Sequence, residues 1–269
     1  MHTKPIITVL GDYERCLQHY ADWSQIQARA ELRFFHEPLV GESLYHAVHD
    51  ANAIALIRDR SPFDASLIKR LPNLKLFVFT GVRNGLLDHA ALLNQGVTIA
   101  CTRGGPSKET TAELTWALIL AASKQMVNQS QMMTSGQWRN AQSVLPMLHG
   151  QRLGIIGLGG RTKGLMHQDR LAMMRNDSLL VNTSRSSLIV TEDLIAALKR
   201  GRPGLAALDV FDQEPLPKDS ELHRIPNLLM TPHLGFVAEP IFKTFASGLV
   251  DTLDAWLHGK PVPMPFPSN

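Results

Sequence analysis

The feature that most constrains this chain is the rhythm of its first hundred residues, where short apolar runs alternate with longer helical patterns. Residues 6–10, 32–35, 53–57, 74–79 and 97–100 read as strands, and residues 13–30, 44–48, 67–71 and 89–93 as the helices between them. Strand, crossover helix and next strand form a βαβ unit, and a series of such units builds an open, mostly parallel sheet. With 269 residues, 44% of them hydrophobic, the chain has material for two cores rather than one.

The second half carries its own signals. After Arg103-Gly-Gly-Pro106, Ser107 is a good N-cap for a helix of about twenty residues. Its apolar positions Leu114, Trp116, Ala117, Leu118, Ile119 and Leu120 nearly encircle it, which predicts a helix buried between two domains. A new strand is predicted over 153–158. Further on, Thr191 reads as the cap of a short helix with Glu192 and Asp193 in its first turn, Lys199 and Arg200 in its last, and Gly201 as its stop. Strands over 205–210 and 228–231 precede a final helix opened by Pro240, with Ile241, Phe245, Leu249 and Leu253 at helical spacing. The predicted division is residues 1–103 plus 238–269 in one domain and 104–237 in the other.

Several function classes are excluded. The 27 basic and 24 acidic residues give a net charge of +3 and are scattered, without the basic stripe a nucleic-acid binder needs. Cys16 and Cys101 offer neither a disulfide framework nor a metal-ligand spacing, so no metal is expected and a reducing, cytoplasmic compartment is. The N-terminus reads as a strand, too soon charged for a signal peptide. The apolar stretch 114–122 falls far short of the ~20 residues that span a bilayer, so no membrane role is expected.

Four segments carry chemistry. Gly157-Leu-Gly159-Gly160 follows an apolar run, as glycines do where a backbone turns tightly and approaches a pyrophosphate at a helix N-terminus. The third glycine of that fingerprint is replaced by Thr162. Three other apolar runs end on polar residues: Leu179-Leu-Val-Asn-Thr-Ser-Arg185, Ala207-Leu-Asp-Val-Phe-Asp-Gln-Glu214 and Met230-Thr-Pro-His233. All three stand where open α/β sheets take ligands, at the carboxyl ends of strands. A histidine suits proton transfer near neutral pH, and an arginine holds a carboxylate in a bidentate fork.

The order and spacing of these segments, with the helix Lys108-Glu-Thr-Thr-Ala-Glu-Leu-Thr-Trp116, resemble the D-isomer-specific 2-hydroxy acid dehydrogenases, which include D-3-phosphoglycerate dehydrogenase. The resemblance implies a flavodoxin-like substrate domain, a Rossmann-type nucleotide-binding domain and a nicotinamide cofactor, NAD or NADP. It implies hydride transfer to or from a small 2-hydroxy or 2-keto acid. His233 becomes the general acid–base, Glu214 its carboxylate partner, and Arg185 the substrate-carboxylate ligand. Gly157, Gly159 and Thr111 are assigned to the cofactor, and Asp209 to its carboxamide. Arg58, Gly81, Val82 and Arg83 correspond to substrate-facing loops whose backbone amides would grip a carboxylate. The family pairs subunits through the nucleotide-binding domain, and the apolar Met126, Met132, Met133, Trp138, Val144, Leu145 and Met147 predict a homodimer contact here.

The chain departs from the family between Gly160 and Arg161. Roughly 60 residues, two βαβ-scale pieces, are missing at that point. With them go the helix that caps the pyrophosphate and the acid that grips the adenosine ribose. Asp177, 20 residues after Gly157, has the expected separation but precedes its strand instead of ending it. The sequence leaves two explanations open: a segment present in the protein but not in this sequence, or a true deletion. It also leaves a second class of function, a catalytically silent remnant or a cofactor-sensing interaction protein of the same fold.

Overall fold

The computed structural model describes residues 4–154 and 162–266. The chain divides into two units, Met1–Ser107 with Ala238–Asn269, and Lys108–Val237. Both are α/β with parallel sheets.

In the first unit the elements run β1 (Ile6–Leu10), α1 (Leu17–Tyr20), α2 (Ser24–Arg29), β2 (Glu31–Phe35), α3 (Gly41–Val48) and β3 (Ala53–Leu56). They continue through α4 (Ala65–Lys69), β4 (Leu76–Phe79), α5 (His89–Asn94) and β5 (Thr98–Cys101). The sheet order is β2-β1-β3-β4-β5, all parallel, which is the flavodoxin-like order with its topological switch between β1 and β3. β3 and β4 are buried on both faces, as their unbroken apolar sequences require. With period two, Ile54 and Leu56, Phe77 and Phe79, and Ile99 and Cys101 share one core with Leu44, Val48, Ile68 and Leu92 of the helices. The single helix predicted over 13–30 is instead two short ones, interrupted at Ala21, whose backbone is extended.

In the second unit follow α6 (Ser107–Ser123), α7 (Met126–Thr134), α8 (Gln168–Ala172), β6 (Leu179–Asn182), α9 (Thr191–Lys199), β7 (Leu205–Leu208) and β8 (Leu228–Met230). Among the described residues its sheet has the order β6-β7-β8, all parallel. Strand alternation splits the apolar residues between two faces. Leu180, Ala206, Leu208 and Leu228 pack with Leu171 of α8 and with Leu194 and Leu198 of α9. Leu179, Val181, Ala207 and Leu229 pack with Leu114, Leu118 and Ala122 of α6. The strand predicted over 153–158 and the glycines Gly157 and Gly159 lie outside the described residues.

Two sequence expectations are corrected here. α6 is not buried all round: it covers the sheet with one face and leaves Trp116 55% and Leu120 49% exposed. An apolar circumference reports how many surfaces want covering, not that the chain covers them itself. Thr191 is the first helical residue of α9 rather than its cap, because its hydroxyl is drawn away to Asp212 Oδ2 at 2.6 Å.

The last helix, α10 (Glu239–Leu257), returns to the first unit and buries Ile241, Phe242, Phe245, Leu249 and Leu253. It comes so close to the end of β5 that a β-carbon on Gly248 would lie 2.8 Å from Thr102 Cβ. A larger residue there overpacks the contact at a cost of about 1–3 kcal/mol. The chain then adds an antiparallel edge to β5. The Cys101 amide donates to Met264 O and the Phe266 amide to Ile99 O, which turns Met264 and Phe266 onto the core. Phe266 stacks on His89 at 4.4 Å, and burial pushes the His89 imidazole below the usual histidine value.

Candidate active site

The carboxyl ends of β6, β7 and β8 lie side by side, and each apolar strand hands over to a polar loop. Leucine, valine and alanine hold the strands in the core. The candidate residues Arg185, Glu214 and His233 follow in the loops beyond.

β8 ends at Met230, and three residues later His233 sits at φ +53°, in the left-handed region. Its Nδ1 meets Glu214 Oε2 at 2.5 Å. Glu214 stands in the loop after β7, and its other oxygen accepts the Phe211 amide at 2.9 Å, so the carboxylate is fixed by its own loop before it meets the ring. The imidazole is further bounded by Phe236, edge-on at 5.5 Å. With Nδ1 committed to Glu214, Nε2 is the ring atom left to exchange a proton. His233 is partly buried at 29% side-chain exposure, and Glu214 is half-open at 36%.

Arg185 follows β6 and is exposed; its Nη1 donates to the Ser184 carbonyl at 2.7 Å. The loop that carries it is tied by a residue that sequence reasoning passed over. Asn182 is buried, receives the Ser184 amide on Oδ1 at 3.1 Å and donates Nδ2 to the Arg185 carbonyl at 2.8 Å. A short amide closing an apolar strand three residues before an arginine is the signal that could have found it.

Asp209, the next residue after β7, has no exposed surface. Its Oδ1 accepts the Thr231 hydroxyl at 2.6 Å and the Leu234 amide at 2.7 Å, and its Oδ2 accepts the Gly235 amide at 2.9 Å. All three donors belong to the loop that carries His233. Thr111, expected at the cofactor, donates its hydroxyl to the Gly235 carbonyl at 2.9 Å.

In the first unit, Arg58 follows β3 and Gly81 follows β4, at φ +52° and +82°. The Arg58 guanidinium lies against Gly81, where a β-carbon would come 2.0 Å from its Nη1. The amides of both residues are taken, Arg58 by the Thr80 hydroxyl at 3.0 Å and Gly81 by the Thr102 hydroxyl at 3.2 Å. Intrachain hydroxyls thus occupy these two amides, and Val82 and Arg83 form the exposed part of this turn.

Comparison with known proteins follows the same outline. Residues 160–235 match the family model described as D-isomer specific 2-hydroxyacid dehydrogenase, NAD binding domain. The chain is 27% identical over 259 residues to glyoxylate/hydroxypyruvate reductase B of Erwinia tasmaniensis, covering 73% of this chain and 80% of the relative. It is 25% identical over 300 residues to glyoxylate reductase of Korarchaeum cryptofilum, covering 88% and 90%. A crystal structure of phosphoglycerate oxidoreductase from Vibrio cholerae superposes with a TM-score of 0.79 at 25% identity, covering 96% of this chain and 100% of that one. Both sequence alignments are longer than the share of this chain they use. On the order of 60 positions of the relatives, the size of two βαβ units, have no residue here.

The domain that matches is one that binds NAD, and the donor set fits the nicotinamide end of such a cofactor with a substrate beside it. A paired imidazole is a group able to move one proton, and an exposed guanidinium one able to hold a carboxylate. For the adenosine end, an acid is wanted at a strand's carboxyl terminus. Asp177 stands before β6, ion-paired with Arg175.

Proposed function

We propose that the chain is a D-isomer specific 2-hydroxyacid dehydrogenase that moves a hydride between NAD or NADP and a small D-2-hydroxy acid or the matching 2-keto acid. The observation that carries this reading is the 2.5 Å contact of His233 Nδ1 with Glu214, at the strand ends that also present Arg185. Nicotinamide, when bound, gives or takes the hydride. The chain's own residues do the rest. Arg185 takes the substrate carboxylate through a charge-assisted fork. In reduction, His233 gives the proton on Nε2 to the keto oxygen while hydride reaches the carbonyl carbon, and the π pair of the carbonyl becomes the new O–H bond. Glu214 holds the opposite N–H and offsets the imidazolium charge before transfer. Oxidation runs the same steps backwards, with neutral His233 as base.

We assign Arg58, Val82 and Arg83 to substrate recognition. This is supported by their position at the carboxyl ends of β3 and β4, on the edge of the sheet where open α/β folds take ligands. We also propose a homodimer, supported by the exposed apolar residues of α6, α7 and the segment after them. The free cysteines Cys16 and Cys101 support a cytoplasmic location. Among the described residues no helix is long and apolar enough to cross a membrane.

The test is turnover. With millimolar NADH or NADPH and a panel of 2-keto acids led by the relatives' glyoxylate and hydroxypyruvate, the purified chain should consume reduced cofactor. His233→Ala should lower kcat by on the order of 100- to 10,000-fold and change cofactor affinity far less, because the lost group moves a proton and does not grip the dinucleotide. An unchanged kcat in the variant removes His233 from the mechanism, and a wild-type chain inert across the panel removes the activity.

A further inference from the structure

His233 adopts a left-handed backbone that a residue with a β-carbon disfavours, so neighbouring bonds must impose it. Those bonds converge on one side chain from both sides of the histidine. Thr231, two residues before it, and Leu234 and Gly235, the two after it, all donate to the Asp209 carboxylate. A carboxylate with no exposed surface needs its lone pairs satisfied, and these three donors come from a single five-residue loop. The loop is gripped from the other side as well, since Thr111 takes the Gly235 carbonyl and a β-carbon on Gly235 would sit 3.3 Å from both Asp209 Oδ2 and Thr111 Oγ1. Asp209 itself is anchored to the neighbouring strand end, its amide donating to the Asn182 carbonyl at 3.0 Å.

We infer that Asp209 is a positioning residue for His233: it clamps residues 231–235 from within the fold and so aims the imidazole at Glu214. The inference rests on the reading of His233 as the proton-transfer group. Asp209 touches neither the ring nor the substrate-side nitrogen, and it acts through the Thr231 hydroxyl and the Leu234 and Gly235 amides. Charge on Asp209 matters because both oxygens must accept. In Asp209→Asn one of them becomes an NH2 that faces an N–H or O–H donor, whichever way the amide turns.

The experiment is nitrogen NMR of the His233 ring in the cofactor-free protein, read beside steady-state kinetics. Glu214→Gln supplies the reference spectrum for a ring without its carboxylate. In Asp209→Asn the Nδ1 signal should move from the wild-type position towards that reference, and kcat should fall on the order of 100-fold while KM for the keto acid stays within about threefold. Thr231→Val, which deletes one of the three donors and keeps the charge, should move both readouts part of the way, and it decides the matter if Asp209→Asn does not fold. A wild-type ring signal and kcat in the folded variants, with only cofactor affinity reduced, would overturn the inference. Should His233→Ala keep its turnover, the reading of the histidine fails, yet the ring signal still reports whether Asp209 holds the loop.

Discussion

Cys16 illustrates how strongly a neighbourhood fixes a single residue here. Burial first, then the charges of Asp12 and Glu14, push its thiol up to about 12, against 9.0 for the free group. A shift of that size leaves about a thousandfold fewer thiolates near pH 8, and the thiolate is the reactive form. Native protein should therefore alkylate at Cys16 far more slowly than unfolded protein at pH 8, with the rate climbing through pH 10 and above. The raised value also means that stability associated with this group is present below pH 9 and is lost as pH rises towards 12. Mass-spectrometric labelling with Cys16→Ser as control checks this, and rapid native labelling at pH 8 would contradict it. The residues of the candidate site differ in how far the sequence displays them. Arg185, Glu214 and His233 stand out because each follows an apolar strand at short range. Asn182 and Asp209 do not, because their roles consist of hydrogen bonds to loop backbones whose path is set only by folding.

At the scale of elements, the alternation of short apolar runs and helical patterns is enough to read the parallel sheet of the first hundred residues, since period two and period 3.6 exclude each other over a few turns, whereas the second sheet comes with the family resemblance. What escaped it was anything decided by what lies on the far side of an element. The docking of residues 264–266 on β5 is invisible because Met264 and Phe266 are too few for a period and are flanked by prolines. The circumference of α6 escapes for the complementary reason: among the described residues its Trp116 and Leu120, which share a side, stay exposed. That side continues into α7, which buries none of its residues, and on to Trp138, Val144 and Met147, exposed by 67%, 88% and 66%. Scattered apolar residues are ordinary on a surface, whereas a contiguous series along two consecutive helices and the segment after them marks an association site. A second copy is the occupant we propose. Sedimentation should give a dimer at micromolar concentration, and Trp116→Glu with Trp138→Glu should shift it to monomer without loss of helical signal. A wild-type monomer under those conditions rejects the interface.

For the whole molecule, the two ends of a dinucleotide pose separate demands, and the chain meets them unequally. Affinity for such a cofactor comes mainly from a glycine turn leading into a helix N-terminus and from an acid at the next strand's end. The turn would be formed by Gly157 and Gly159, with Thr162 where the third glycine belongs. Acids at the carboxyl end of the described sheet are already committed: Asp209 to the loop of His233, Asp212 to Thr191 and Glu214 to His233. Asp177 is at the wrong end of β6. The roughly 60 positions of the relatives that have no residue here match the size of the two βαβ units that would hold the adenosine half. Lys163 supplies only charge, and exposed charge attraction is screened by salt. A protein of this sequence, its 29.8 kDa mass verified, should therefore bind NAD(H) and NADP(H) more weakly than about 100 μM at physiological salt, an affinity short of about 5.5 kcal/mol. Catalytic groups do not make up the difference, because they act on the substrate and the nicotinamide end. Turnover, where it occurs, should accordingly need millimolar cofactor, and a chain silent even then is the remnant that keeps the fold without the reaction. Calorimetric titration of the mass-verified protein measures this, and micromolar affinity for either dinucleotide would mean that residues other than these hold the adenosine.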